Sequence, residues 1–313
     1  MKKFLVNFLI LVTAVVLSSC GGGQEGSGIT SSISPETDVD TEQPEKNTVS
    51  IIFAHHSMGA LLLGSRTYTD PREYSPPEDM FLCRRLDELN EQNSENVQLF
   101  HHDRAEWNSL RDCNNNFVEE SWGNVAMGDD GNTPSHWQRV FIENQWPSVR
   151  EKFLNYDIIV IKNSYQTVQD EHSPDYLEDP AGAYTILDKM EEWKSNLVAL
   201  AEYFSTQHPD KILVHLGPAP RRGLSTEGTG IHYPVKEVAD ASRAFSDWMS
   251  NEWTRLAPNV RYFPWFDYLA NSDNVMDERW RSDGSHYELW RGEEIGLVFA
   301  DYLFEIAGEV ATQ

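Results

Sequence analysis

Five apolar, β-rich runs punctuate the chain: VSIIFA from Val49, VQLF from Val97, DIIVIKNS from Asp157, KILVHLG from Lys211 and VRYFPWF from Val260. Three longer segments carry apolar residues at helical spacing: AYTILDKMEEWKSNLVALAEYFSTQ from Ala183, VKEVADASRAFSDWMSNEW from Val235 and RGEEIGLVFADYLFEIAG from Arg291. A strand that is apolar on both faces must be covered on both, and amphipathic helices interleaved with the strands supply that cover. The order therefore predicts an α/β fold with a mostly parallel sheet and helices on each side. Such sheets bind ligands outside the carboxyl ends of their strands, so the residues just beyond each run are the first candidates for function.

The 313 residues suffice for one α/β domain with appendages. With 40% hydrophobic residues and ten Trp, the chain has the composition of a folded protein. The appendage lies at the start. Lys2 and Lys3 precede an apolar run from Phe4 to Leu17 and then Ser18, Ser19 and Cys20, the pattern of a secretion signal whose apolar part is short for a membrane span. The LSSC ending resembles the lipobox of bacterial lipoproteins, which implies cleavage before Cys20 and acylation of that residue. From Gly21 to Thr48 the sequence is rich in Gly, Ser, Thr, Pro and acids and poor in apolar groups, so it reads as a tether. The expected organisation is a lipoprotein signal peptide over 1–19, lipidated Cys20 and linker over 20–48, and one domain over 49–313. No internal repeat interrupts that domain.

Fifty acidic against 25 basic residues give a formal charge of -25, a field that repels phosphate backbones and anionic lipid surfaces. Nucleic acid is excluded as a partner, and membrane contact is expected through the lipid anchor alone. The resemblance to bacterial lipoproteins implies a location as well: Gly21 after the expected acylated Cys lacks the acidic residue associated with inner-membrane retention in some Gram-negative bacteria, so the outer membrane of the cell envelope is expected, periplasmic or surface-exposed. Apart from Cys20, only Cys83 and Cys113 remain; a disulfide and two buried thiols are both open. The absence of any CxxC pair leaves a zinc ribbon without support.

Ser57 stands just after the first apolar run, in FAHHSMGALLL, at a strand-to-helix turn where its hydroxyl would lie at the sheet's carboxyl edge. A serine there also serves as an ordinary helix cap. Near the other end, SDGSHYELWRGEEIG sets Asp283 three residues before His286, ahead of the last helical segment. In a turn that spacing lets the carboxylate accept from one ring nitrogen while the other takes the Ser57 proton, although a turn held by its own hydrogen bonds has the same spacing.

Together these pieces resemble the SGNH/GDSL hydrolase superfamily, whose nucleophilic Ser follows the first strand and whose Asp-x-x-His pair precedes the final helix. The resemblance spans about Val49 to Ala307, with His56-Ser57-Met58-Gly59 in place of the usual Gly-Asp-Ser-Leu. It implies a three-layer α/β/α fold of flavodoxin-like type with a mostly parallel five-stranded sheet, and catalysis by Ser57, Asp283 and His286. It also implies an oxyanion hole built from the Ser57 N–H, a Gly N–H and an Asn side chain. The Gly falls on Gly128 or Gly131 of AMGDDGNTPSHW. The usual Gly-x-Asn-Asp is replaced by Lys162-Asn163-Ser164-Tyr165, so the side-chain donor is Asn163 or its rival Ser164.

His55 and His56 beside the nucleophile, with His101, His102 and His286, raise a metal as an alternative. Adjacent residues of an extended segment point to opposite faces, and no HExxH-like spacing occurs, so no metal or other cofactor is expected. One of His55 and His56 should pack in the core and the other line the pocket, with His56 as the substrate-side candidate. Arg221 and Arg222 after the fourth run, and Trp290 in YELW, are further substrate-binding candidates. The expected function is a serine esterase acting on carboxylic esters, in particular O-acyl or O-acetyl groups of carbohydrates, with an acylated polysaccharide as the partner. The alternatives are a non-catalytic glycan-binding lipoprotein on a degenerate hydrolase scaffold, and a metal-dependent hydrolase.

Overall fold

The runs from Val49, Asp157 and Lys211 become strands whose side chains are buried on both faces, while the second run, with Gln98 exposed, and the last, with Arg261 half-buried, are less fully covered. The computed structural model describes residues 48–55, 58–64, 80–103, 109–114, 116–119, 134–162, 186–220, 236–280 and 287–311. All belong to one compact unit, Gln43–Gln313. The strands are β1 (Val49–His55), β2 (Val97–Asp103), β3 (Ser109–Asp112), β4 (Phe117–Glu119), β5 (Ile158–Lys162), β6 (Ile212–Leu216) and β7 (Val260–Phe263). They lie in one sheet in the order β4-β3-β2-β1-β5-β6-β7. β2, β1, β5, β6 and β7 are mutually parallel, in the registers Phe53↔His101, Phe53↔Val160, Lys162↔Leu216 and Leu216↔Phe263. These are the five predicted runs.

The expectation of five strands is corrected to seven among the described residues, because β3 and β4 extend the β2 edge antiparallel. They are too short and polar to announce themselves by an apolar run. Their link is an Asx-type turn, in which the Asp112 carboxylate accepts from the N–H groups of Asn114 and Asn116 at 2.9 and 2.8 Å. Cys113 of that turn forms a disulfide with Cys83, across a sequence separation of 30 residues.

Alternation along the strands divides the core in two. Ile51 and Phe53 of β1, with Val160 of β5, face one apolar cluster; Ile52 and Ala54, with Ile159 and Ile161, face the other. The first cluster is closed by α1 (Met58–Leu63), α2 (Phe81–Asn93) and α8 (Leu289–Ala311). The second is closed by α3 (Pro134–Phe141), α4 (Pro147–Leu154), α5 (Ile186–Gln207) and α6 (Lys236–Asn251). The fold is three-layer α/β/α, with α7 (Trp265–Leu269) adding Trp265 and Leu269 to the first cluster. Register is pinned at the amino edge. The Asp157 carboxylate accepts from both the N–H and the hydroxyl of Ser50, at 2.9 and 2.8 Å, which locks β5 beside β1.

The chain leaves β1 toward β2 on one side and returns to β5 on the other. Strand order therefore reverses at β1, and the crevice that such a reversal opens lies at the carboxyl ends of β1 and β5.

Candidate functional site

Two side chains mark that crevice from below. His55 ends β1 and Lys162 ends β5, and both are buried. By alternation both face the layer of α1, α2 and α8, where the residues beneath them are Phe53 and Val160. In the sequence His55 stands two residues before Ser57, and Lys162 stands immediately before Asn163 and Ser164. The edge predicted to hold the chemistry is thus the edge at which the sheet reverses.

The last helix arrives at the same edge. α8 runs opposite to the strands: Arg291 in its first turn donates to the carbonyl of Tyr268 just after β7, and Glu309 in its last turn pairs with Arg261 at the start of β7. Its starting end abuts α1 through two glycines. A Cβ on Gly292 would lie 2.5 Å from the Leu61 carbonyl oxygen, and one on Gly296 would lie 2.5 Å from that of Leu62. No side chain fits there, so the two backbones are in direct contact. Ser57 is the residue before α1, and Asp283 and His286 lie a few residues before α8.

A third tie comes from the opposite face. Trp137 of α3 donates its indole N–H to the carbonyl oxygen of Lys162 at 3.1 Å, in the protein interior. It joins the helix that follows Gly128 and Gly131 in sequence to the strand that precedes Asn163 and Ser164.

The polar groups under the crevice are electrostatically constrained. His55 Nε2 and His101 Nδ1 stand 3.1 Å apart, so one donates and the other accepts. Burial, with smaller contributions from Arg111 and His102, lowers the His101 pKa to about 3. Burial likewise lowers His102 to about 4, its side chain lying on the other face of β2. These rings are neutral at physiological pH. Gly59, one residue into α1, is wedged against this layer: a Cβ on it would lie 2.6 Å from the His55 Cβ and 3.4 Å from both Cδ and Cε of Lys162. Any larger residue would lift α1 off the strand ends.

Among the predicted site residues, Trp290 is described. It is 48% exposed, in the first turn of α8 and two positions from buried Gly292, so it presents its ring to solvent beside the edge. Ser57, Asp283, His286, His56, Gly128, Gly131, Asn163, Ser164, Arg221, Arg222 and Cys20 lie outside the described residues. His55 is the histidine of the pair that packs in the core. Among the described residues, no group of three or more His, Cys, Asp or Glu side chains is placed to hold a metal ion. Sequence reasoning missed the buried Lys162, the His55–His101 pair and the Gly292–Gly296 contact. The available signals were a lone cation ending the apolar run IIVIK and a G-x-x-x-G spacing in RGEEIG.

No family model matches the chain, and no curated protein matches it. Among solved structures, a lipase, Lip_vut3, from a goat rumen metagenome shares 12% identity at a TM-score of 0.38, covering 81% of this chain and 98% of its own. A carbohydrate acetylesterase, Est24, from Sinorhizobium meliloti shares 16% at 0.35, covering 83% and 100%. A GDSL-like lipase from Parabacteroides merdae shares 16% at 0.40, covering 82% and 96%. The resemblance is remote, and the fold stands on the strand order and layering themselves.

Proposed function

We propose that the protein is a serine ester hydrolase. Ser57 attacks the ester carbonyl and passes its proton to His286, which Asp283 orients. His286 returns that proton to the departing alcohol, and water then cleaves the acyl-enzyme by the same route in reverse. The negative oxygen is received by the Ser57 N–H, a Gly128 or Gly131 N–H, and the Asn163 or Ser164 side chain. One observation carries this reading. The glycine contact of α8 with α1 brings the chain into both helices at the carboxyl edge, from segments that hold the candidate nucleophile and the candidate base. The indole bond of Trp137 to Lys162 supports the oxyanion assignment, because it ties together the strands and helices flanking those residues.

The substrate we favour is an O-acylated polysaccharide, supported by the exposed Trp290 ring beside the edge, a surface suited to stacking on a sugar. The location we favour is the outer membrane, through acylation of Cys20; among the described residues no helix is long and apolar enough to cross a membrane. A fluorophosphonate probe followed by peptide mapping tests the mechanism. Covalent modification of Ser57, abolished in Ser57→Ala together with a loss of turnover of about 10⁴-fold, is the expected result. An inert wild-type protein would instead favour a glycan binder. Acetate release from acetylated glycans, set against hydrolysis of lipid esters, tests the substrate class.

A further inference from the structure

Trp290 is the exception among the described tryptophans. Trp137 and Trp253 donate to carbonyl oxygens, Trp248 and Trp280 lie against cations, and the others pack on aromatic rings. Trp290 makes none of these contacts, and it is the one aromatic among the exposed large apolar side chains of the described residues. An indole left in water forgoes one of the largest burials a side chain offers. The surface beside it carries fixed polar groups. Glu293 and Glu294 stand three and four positions further along α8, one turn away on the same face. Arg84 of α2 meets the Glu293 carboxylate at 3.8 Å, and Arg291 meets that of Glu294 at 2.6 Å. Each carboxylate is therefore oriented by an arginine from one side, while the glutamate side chains remain 50% and 56% exposed. A carboxylate has about four lone-pair sites, so both keep acceptors for a solute.

We propose that this face of α8 is a carbohydrate subsite that takes an uncharged, hydroxyl-rich glycan. The inference deepens the polysaccharide reading of the substrate and rests on that reading, and not on the serine chemistry. A pyranose turns C–H groups from its ring face and hydroxyl groups from its edge. The first stack on the Trp290 indole, and the second donate to Glu293 and Glu294. Charge selects the class of glycan. A uronate or phosphate chain would bring negative charge to two carboxylates on a chain of net charge -25. A lipid surface would press those carboxylates against hydrocarbon. A neutral sugar meets neither cost. An exposed helix face grips a sugar from one side, so it suits a polymer, whose repeated units rebind it.

Affinity electrophoresis tests the subsite, with native gels holding deacetylated xylan, deacetylated β-glucan, polygalacturonate or no polymer. These polymers carry no ester, so binding is read apart from hydrolysis. We expect retardation by the two uncharged glycans and none by polygalacturonate. Trp290→Ala should weaken the retardation about tenfold, and Trp290→Phe, which keeps a ring, by no more than about threefold. Glu293→Ala and Glu294→Ala should each weaken it about threefold to tenfold. Urea midpoints identify the variants that remain folded, and with two aromatic and two acidic substitutions the comparison survives the loss of any one. Retardation undiminished in Trp290→Ala, or absent with both uncharged glycans, would overturn the subsite. So would Trp290-dependent sedimentation with phosphatidylcholine vesicles in place of glycan binding. Acetate release from acetylated xylan by a protein whose retardation ignores Trp290 would remove the subsite and leave the substrate reading standing. Trp290-dependent retardation of a protein that releases no acetate and is never labelled at Ser57 would keep the subsite and overturn the hydrolase.

Discussion

Trp137 on one face of the sheet donates to the backbone carbonyl of Lys162, whose side chain reaches toward the other face. The bond crosses the layer boundary at the strand end where the candidate oxyanion segment begins. Trp137→Phe removes the donor and leaves that interior carbonyl short of a partner, at an expected cost of about 1 to 3 kcal/mol in urea unfolding. We expect kcat to fall more than KM changes, because the Lys162 backbone loses its anchor while distant substrate contacts do not.

Two glycines of α8 should respond to the same substitution with opposite signs. Gly308 has nothing within 4 Å of an added Cβ and is exposed, so Gly308→Ala should stabilise by about 0.5 to 1 kcal/mol through helix propensity. At Gly292 the same methyl meets the Leu61 carbonyl at 2.5 Å. Overpacking outweighs propensity there, and Gly292→Ala should destabilise by about 1 to 2 kcal/mol. Urea midpoints of the two variants measure the difference. Esterase activity should drop only in the Gly292 variant, since only that change pushes α8 away from α1.

Acidification should unfold the protein before its carboxylates are titrated. His101 and His215 are lowered to about 3 and His102 to about 4, burial being the largest cause in each case. Their unfolded values lie near 6.5, so below that pH the unfolded chain binds protons that the folded chain refuses. The stability held by the neutral rings is fully present above about pH 6.5 and is lost as pH falls, toward about 4 for His102 and about 3 for His101 and His215. Each ring contributes a slope on the order of 1 kcal/mol per pH unit in that window. Urea midpoints from pH 7.5 to 4.5 should fall steeply, and His215→Leu, at a site packed against Trp253, should flatten the fall.

The Cys83–Cys113 bond ties α2 to the turn between β3 and β4. Opening that 30-residue loop should cost about 3 to 4 kcal/mol, largely through the freedom returned to the unfolded chain. Urea unfolding with and without a phosphine reductant measures it, and Cys83→Ser should reproduce the reduced value while becoming insensitive to reductant. An unchanged midpoint would place that edge outside the cooperative unit.

Much of the frame was legible before any coordinates. All five apolar runs became parallel strands, and the segments read as helices became α5, α6 and α8, because periodicity of burial is written into neighbouring residues. The edge strands were not legible: SLRD and FVE carry no apolar run, and they pair because β2 offers an open edge. His56 was named in advance as the substrate-side histidine, which left His55 for the core, and His55 is buried where alternation on β1 turns it inward. Trp290 was named in advance as a ring near the site, whereas Lys162 was read only as part of a motif, since its burial depends on α1 closing over it.

What the sequence settled unaided is what short-range pattern can settle: which apolar segments become strands or helices, that the sheet is mostly parallel and covered on both faces, and where along the chain its carboxyl edge falls. The tertiary structure alone decided that strand order reverses at β1, that Cys83 meets Cys113, and that α8 rests its glycines on the backbone of α1. These are relations between residues 30 to more than 200 positions apart, as Leu61 and Gly292 show. They follow from which surfaces close on one another in space, and no local periodicity encodes that choice.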